Sequence, residues 1–137
     1  MKFSRNQQQE LTLAIIYSAL TYAKADVEFS LTELIEGICK ENYEDVPIFI
    51  KDLTIQTLKH QQDIIDVIEP KLNKWKFHRL NRMTQAIFLM SYAHFYYIGG
   101  VEKNVVINIA VKHAKKFIVE DDYKFINAVL DEVLINE

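Results

Sequence analysis

From Met83 to Val101 the chain runs for nineteen residues without a formal charge, about the length that crosses a bilayer. Thr84, Gln85, Ser91, His94, three tyrosines and the Gly99-Gly100 pair fall inside that run. A helix carrying them is too polar for lipid, and one that is apolar almost all round must instead be buried in protein. The run therefore predicts a central helix from Arg82 to about Ile98, stopped by Gly99-Gly100, with other elements packed around it. Those elements should be helices too. The 137 residues include only three glycines and two prolines, and few segments alternate as a half-buried strand does. Half the residues are apolar, enough for one domain whose core needs no covalent staples.

Helical periodicity divides the rest. A first helix spans about Ser4 to Ala23, with Leu11, Ala14, Ile15, Ala19 and Tyr22 on one face and Ile16, Tyr17 and Leu20 widening it. A second opens with a capping box, Ser30-x-x-Glu33, and ends near Asn42. A third begins around Asp45 with Pro47 in its first turn, where a missing N–H costs nothing, and turns Val46, Phe49, Ile50 and Leu53 inward. The stripe Ile64, Val67, Ile68, Leu72 is either a separate helix ending near Pro70 or a bent continuation. After the central helix, Asn104 to Ile118 buries Val106, Ala110, Ala114 and Phe117 and turns Asn108, Lys112, Lys115 and Lys116 outward. The last helix has the stripe Ile126, Val129, Leu130, Val133, Leu134. Asp121 stands at its N-cap, with Glu120 and Asp122 placing negative charge at the positive end of the dipole. The expected architecture is all-α, six or seven helices in one unit, divided into an N-terminal half of about 1–70 and a C-terminal half of about 71–137.

Little in the chain supports catalysis. There is no Gly-rich phosphate loop, and the four histidines, His60, His78, His94 and His113, form no short ligand pair of the HExxH kind. His60 and Asp63 share a helix face at a spacing common in exposed pairs, and His113 lies at the centre of an apolar face, where a hydrogen-bonded core histidine is expected. The single cysteine, Cys39, follows Leu31, Leu34, Ile35 and Ile38 on an apolar face and reads as a buried small hydrophobe in a reducing compartment. The opening "MKFSRNQQQE" has no apolar signal region, which predicts a cytoplasmic protein. No metal and no cofactor is expected.

Charge is distributed unevenly. The net charge is −3, yet residues 71–116 carry nine Lys or Arg against one acid, Glu102, between flanks in which acids outnumber bases. Inside that block "KLNKWKFHRLNR" interleaves Lys71, Lys74, Lys76, Arg79 and Arg82 with Trp75 and Phe77, the composition of a surface that neutralises phosphates and stacks on bases. The same residues also suit core plugs, Trp75 and Leu72, in a lysine-solvated loop.

The segments "W…HRLNRMTQAIFLMSYAHF" (Trp75 to Phe95) and "VVINIAVKHAKKFIVEDDYKFINAVLD" (Val105 to Asp131) together resemble the NusB family of transcription antitermination factors. The resemblance rests on Trp75, Arg79, Leu80, Ile107, Asn108, Ala110, Ala114, Lys115, Phe117, Glu120, Asp121, Lys124, Phe125, Asn127, Val129, Leu130 and Asp131, without a gap after Asn104. The first half matches through "AIIYSAL", with Tyr17 at the position of the family's helix-one tyrosine.

The resemblance implies two small helical bundles and a non-enzymatic role. It implies binding of single-stranded boxA-type leader RNA together with NusE, a ribosomal small-subunit protein, during transcription of ribosomal RNA, with other Nus factors and RNA polymerase as further partners. Family members use an arginine-rich first helix and the start of the last helix for RNA. They meet NusE through the helix-one tyrosine and a glutamate closing the central helix. Here the arginines are reduced to Lys2 and Arg5, the Tyr-Glu dipeptide with which the family's central helix ends is Ala93-His94, and the leucine of an L-A-K motif is His113. The implied RNA-binding residues are Lys2, Arg5, Asp121, Lys124 and Phe125, with Phe125 free to stack on a base, and the outward Lys112, Lys115 and Lys116, nearest in sequence to the Asp121 helix start, are expected to supply the phosphate contacts that the missing arginines do not. The implied partner-binding residues are Tyr17 and His94, expected near each other on one surface. Two alternatives stay open: an interaction module of this fold that has lost RNA binding, and an accessory to an RNA methyltransferase, since NusB-like domains also occur fused to such enzymes.

Overall fold

The computed structural model describes residues 2–119 and 121–135. Seven α-helices make up most of them: α1 (Arg5–Lys24), α2 (Leu31–Cys39), α3 (Ile48–Lys59), α4 (Gln61–Ile68), α5 (Arg82–Ala93), α6 (Lys103–Phe117) and α7 (Asp122–Val133). No strand occurs among the described residues. Short 3-10 turns lie in the connections at Tyr43–Asp45, Glu69–Leu72 and Phe77–Arg79, and one turn of π geometry, His94–Ile98, prolongs α5. The Gly99 N–H closes that turn on the His94 carbonyl at 3.0 Å, and Gly99 leaves the helix at φ 75°, a conformation open to glycine.

Local chemistry sets the boundaries. The complete capping box is at α1: Ser4 Oγ accepts from the Gln7 N–H at 3.1 Å, and Gln7 Oε1 accepts from the Ser4 N–H at 2.8 Å. At Ser30 only half of the expected box forms, with Oγ accepting from the Glu33 N–H at 3.2 Å. Helix α2 stops at Cys39, short of Asn42, because Lys40 turns left-handed at φ 57°. Helix α3 starts at Ile48, after Pro47 instead of around it. Val46 is held extended by the proline ring that follows, so no helix can run from Asp45 through it. His60, at φ −102° and ψ 15°, breaks α3 from α4, which is thus a separate helix, and its ring stacks on Tyr97 at 4.0 Å.

Helix α5 lies at the centre of the molecule. Ala86, Ile87, Phe88, Leu89, Met90 and Ala93 are all buried, and α1, α3, α4, α6 and α7 pack around them. Each large side chain there contributes roughly 1.5–3 kcal/mol by leaving water. The main core draws on both halves of the chain, with Leu13 and Leu20, Leu53, Ile64 and Ile68 meeting Phe88, Val106, Ile126 and Leu130. A helix apolar on every side has to be covered on every side, and the helices of neither half suffice. A smaller cluster, Ile15, Ile35, Cys39, Val46 and Ile50, fills the space between α1, α2 and α3. Cys39 is buried as expected, and burial pushes its thiol pKa up, away from thiolate chemistry.

Helices α1 and α5 run antiparallel. Arg82 at the start of α5 donates to Thr21 Oγ1 near the end of α1 at 3.2 Å, while His94 at the far end shares a groove with Arg5 and Gln9. Helices α6 and α7 pack closely on each other. Phe117, expected inside, is exposed: α6 ends there, and the extended Ile118 takes the inward place. No helix among the described residues is long and apolar enough to cross a membrane.

Candidate nucleic-acid interface

Three helix segments meet on one side of the molecule. On α6, Val105, Ile109, Lys112 and Lys116 follow each other at helical spacing along one stripe, and that stripe lies beside the first turns of α1. Val105 and Ile109 share the groove of Arg5 and Gln9. One turn further, Lys112 Nζ donates to Asn6 Oδ1. Further still, Lys116 Nζ donates to both Glu10 carboxylate oxygens at 2.7 and 2.8 Å. Lys115, offset to the other flank of α6, holds its ammonium 4.7 Å from the Tyr123 ring centre in the first turn of α7, and Lys124 approaches the same ring at 5.9 Å. The outward lysines thus bridge the start of α1 to the start of α7.

The Glu10 carboxylate offsets part of the Lys116 charge, but the pair is solvent-accessible and worth little as a bridge. Beneath the lysines lies His113, 0% exposed, with neither ring nitrogen hydrogen-bonded. The expectation of a buried histidine holds; the expectation of a hydrogen-bonded one does not, because its neighbours on α6 turn their polar groups to the surface. Burial, then Lys112, press its pKa down; Glu10 pulls it up and Lys116 adds to the lowering, for a net value of about 4. The ring is neutral at physiological pH.

Other expected residues fall elsewhere. Lys2 pairs with Glu41 beyond the end of α2, and not with a residue of α6. Arg5 is exposed and lays its guanidinium 3.9 Å over the Phe49 ring. Asp121 stands at the N-cap of α7, but its side chain accepts no capping bond; only its carbonyl does, from the Lys124 N–H at 3.1 Å. Its φ of −78° and ψ of 25° are not the extended values that aim a capping side chain back at the helix. Glu120 lies outside the described residues. Phe125 is half-buried and meets Phe88 edge-on at 5.9 Å, so one side of its ring closes the core while the other faces a groove.

Tyr17 and His94 are not brought to one place. His94 is buried beside Gln9 and edge-on to Phe49 at 5.3 Å, and burial, helped by the Arg5 charge, lowers its pKa. Tyr17 is exposed two turns further along α1 from Gln9, about 12 Å of rise. Because α5 runs antiparallel to α1, Tyr17 sits nearer the level of Ala86 than of His94. Sequence reading missed Asn6 and Tyr123. The only sequence signal for Tyr123 was its place between an acidic cap and Lys124, and Asn6 had none.

The model of the NusB family matches residues 6–134. The chain belongs to the NusB family. Among curated members it is 32% identical over 134 residues to the transcription antitermination protein NusB of Macrococcus caseolyticus, covering 98% of both chains. It is 32% identical over 130 residues to that of Geobacter sulfurreducens, covering 95% of this chain and 93% of the other. A solved structure of T. maritima NusB superposes with a TM-score of 0.79 at 20% identity, covering 98% of this chain and 92% of that one, a match of fold. Along α1, α6 and the start of α7, this member of the NusB family sets exposed lysines against the Tyr123 ring.

Proposed function

We propose that this NusB-family chain acts in transcription antitermination as a non-enzymatic factor that holds single-stranded, boxA-type RNA together with a NusE-type ribosomal protein. The observation that carries the reading is the meeting of Lys112, Lys115 and Lys116 with the first turns of α1 and α7. Cations spaced along one stripe track a phosphate backbone, Tyr123 at its end offers a face for an unstacked base, and Phe125 on the opposite flank of α7 offers another. Arg5 adds charge at the other end. Lys2, engaged with Glu41, would contribute after exchanging partners. Asp121, exposed and uncommitted as a cap, is available to accept from a base or sugar, and Lys124 to pair with phosphate.

The groove of His94, Arg5, Phe49 and the Gly99-Gly100 turn is the place where a partner protein would meet α1 and α5 together, with Tyr17 as a second, separate contact. The site of action would be the cytoplasm, where transcription and ribosomal proteins meet. Fluorescence anisotropy of labelled boxA-type RNA, with and without NusE, tests the reading. Weak binding by the chain alone and a clear gain with NusE are expected. Absence of binding in both cases would leave only the protein-interaction role.

A further inference from the structure

We propose that the groove between the α4–α5 connector and α7 is a second base-binding subsite, in which Trp75 and Phe125 take one unstacked nucleobase of a single-stranded RNA. The inference rests on the RNA-binding reading and extends it to a face that the α6 lysines do not reach.

The connector is folded so as to expose its tryptophan. Leu72 is buried, Asn73 reverses the chain at φ 60°, and the Phe77 N–H donates to Glu69 Oε2 at 2.9 Å, which seats the Phe77 ring in the core. Trp75, two residues before Phe77, is left 60% exposed. An indole presented in this way by a fixed turn leaves a large apolar face uncovered, though burying it would stabilise the fold. Opposite it stands Phe125. Between them is a groove of about 330 Å³, also lined by Arg79, Asn81, Thr84 and Asp122.

Thr84 forms part of the groove floor. It is 1% exposed, and its hydroxyl has no hydrogen-bond partner. A helical threonine ordinarily donates to the carbonyl four residues back. Here that carbonyl, of Leu80, accepts instead from Gln85 Nε2 at 3.0 Å. A buried hydroxyl without a partner is rare in a folded protein, and this one lies sealed beneath the groove floor, out of reach of what enters the groove.

Charge selects nucleic acid over an apolar peptide. Lys74, Lys76 and Arg79 surround Trp75 and are all exposed. Asp122 inside the groove opposes a phosphate there but accepts from a base amino group, so the base goes in and the backbone stays out among the cations. On α7, Asp122 and Phe125 are three residues apart and share one flank, while Tyr123 and Lys124 face Lys115 on the other. A strand leaving the α6 lysines over the first turn of α7 arrives at this groove.

Trp75 is the only tryptophan of the chain, so its fluorescence reports on the groove directly. The intact protein is titrated with a labelled single-stranded oligoribonucleotide, following RNA anisotropy and tryptophan emission together. Quenching that saturates with the anisotropy is expected, and Trp75→Ala should weaken affinity about ten-fold, with Trp75→Phe restoring most of it and circular dichroism unchanged in both. RNA that binds without quenching, and with equal affinity for Trp75→Ala, overturns the subsite and leaves the RNA-binding reading standing. Quenching by NusE alone but not by RNA reassigns the groove to protein and also overturns it. No RNA binding by any variant removes both.

Discussion

His113 offers a quantitative test of the packing beneath the lysine stripe. Its ring is fully buried, and both nitrogens lack partners, so replacing it with leucine, of similar size and without polar atoms, removes a desolvation cost of about 1–3 kcal/mol. The pH dependence is sharper still. The folded-state pKa is lowered from 6.5 to about 4, so the unfolded chain binds the proton more readily and stability rises with pH. The histidine's contribution is fully present above about pH 6.5. It is lost progressively on acidification, by roughly 2 kcal/mol at pH 5 and roughly 3 kcal/mol at pH 4, from 1.36 kcal/mol per pKa unit. Urea unfolding of the natural protein and of His113→Leu at pH 7 and pH 5 isolates this effect, because most other titrating groups cancel in the difference. Glu10, Lys112 and Lys116 face the ring and stay in both proteins. The variant should be more stable at pH 7, and the gap should widen by roughly 2 kcal/mol at pH 5. A gap that stays constant between the two pH values would refute the argument, showing that His113 finds solvent or a partner in the folded state.

Neutralising Lys112, Lys115 and Lys116 to Gln one at a time should each lower the slope of log affinity against log salt for single-stranded RNA by about 0.7 if that lysine contacts a phosphate; an unchanged slope removes the residue from the interface. Phe125→Ala should cost about 1–3 kcal/mol of RNA affinity with little change in slope, and about 2 kcal/mol of stability through its edge contact with Phe88. If thermal melting falls while the folded fraction binds RNA normally, Phe125 serves the core alone. Ser4→Ala should destabilise by about 1 kcal/mol through loss of the α1 cap, whereas Asp121→Ala should stay within about 0.5 kcal/mol, and equal losses in chemical denaturation would contradict the cap geometry. Binding of a NusE-type partner should weaken on acidification below the ordinary imidazole range, where His94, its pKa lowered by burial and then by the Arg5 charge, takes up a proton and puts a second positive charge beside Arg5; affinity that stays level down to the pH at which the His94 ring is seen by NMR to titrate, with the partner's own ionisation controlled, would place the contact elsewhere.

The helices were legible in the sequence because helix formation is local. Periodicity at i, i+3 and i+4 marks a buried face wherever the chain folds, and the uncharged run after Arg82 had to be central because no other environment accepts it. Boundaries were less legible where two local rules competed: Pro47 is welcome in a first turn, yet it also forces Val46 to be extended, and the second effect decided where α3 begins. Family membership was readable for a related reason, since the motifs from Trp75 to Phe95 and from Val105 to Asp131 are contiguous strings that pack as two consecutive blocks. The candidate site was readable only in pieces. Lys112, Lys115, Lys116, Lys124 and Phe125 lie close in sequence, but the partners that give the stripe its form, Asn6 and Glu10, are 106 residues away from Lys112 and Lys116. Only the packing of α1 and α6 around α5 decides that pairing. The connector shows the same division: Trp75 and Phe77 are both aromatic among lysines, and composition treats them alike. Tertiary structure seats Phe77 on the core and leaves Trp75 in solvent, because a hydrogen bond from the Phe77 backbone to Glu69 fixes which of the two rings points inward.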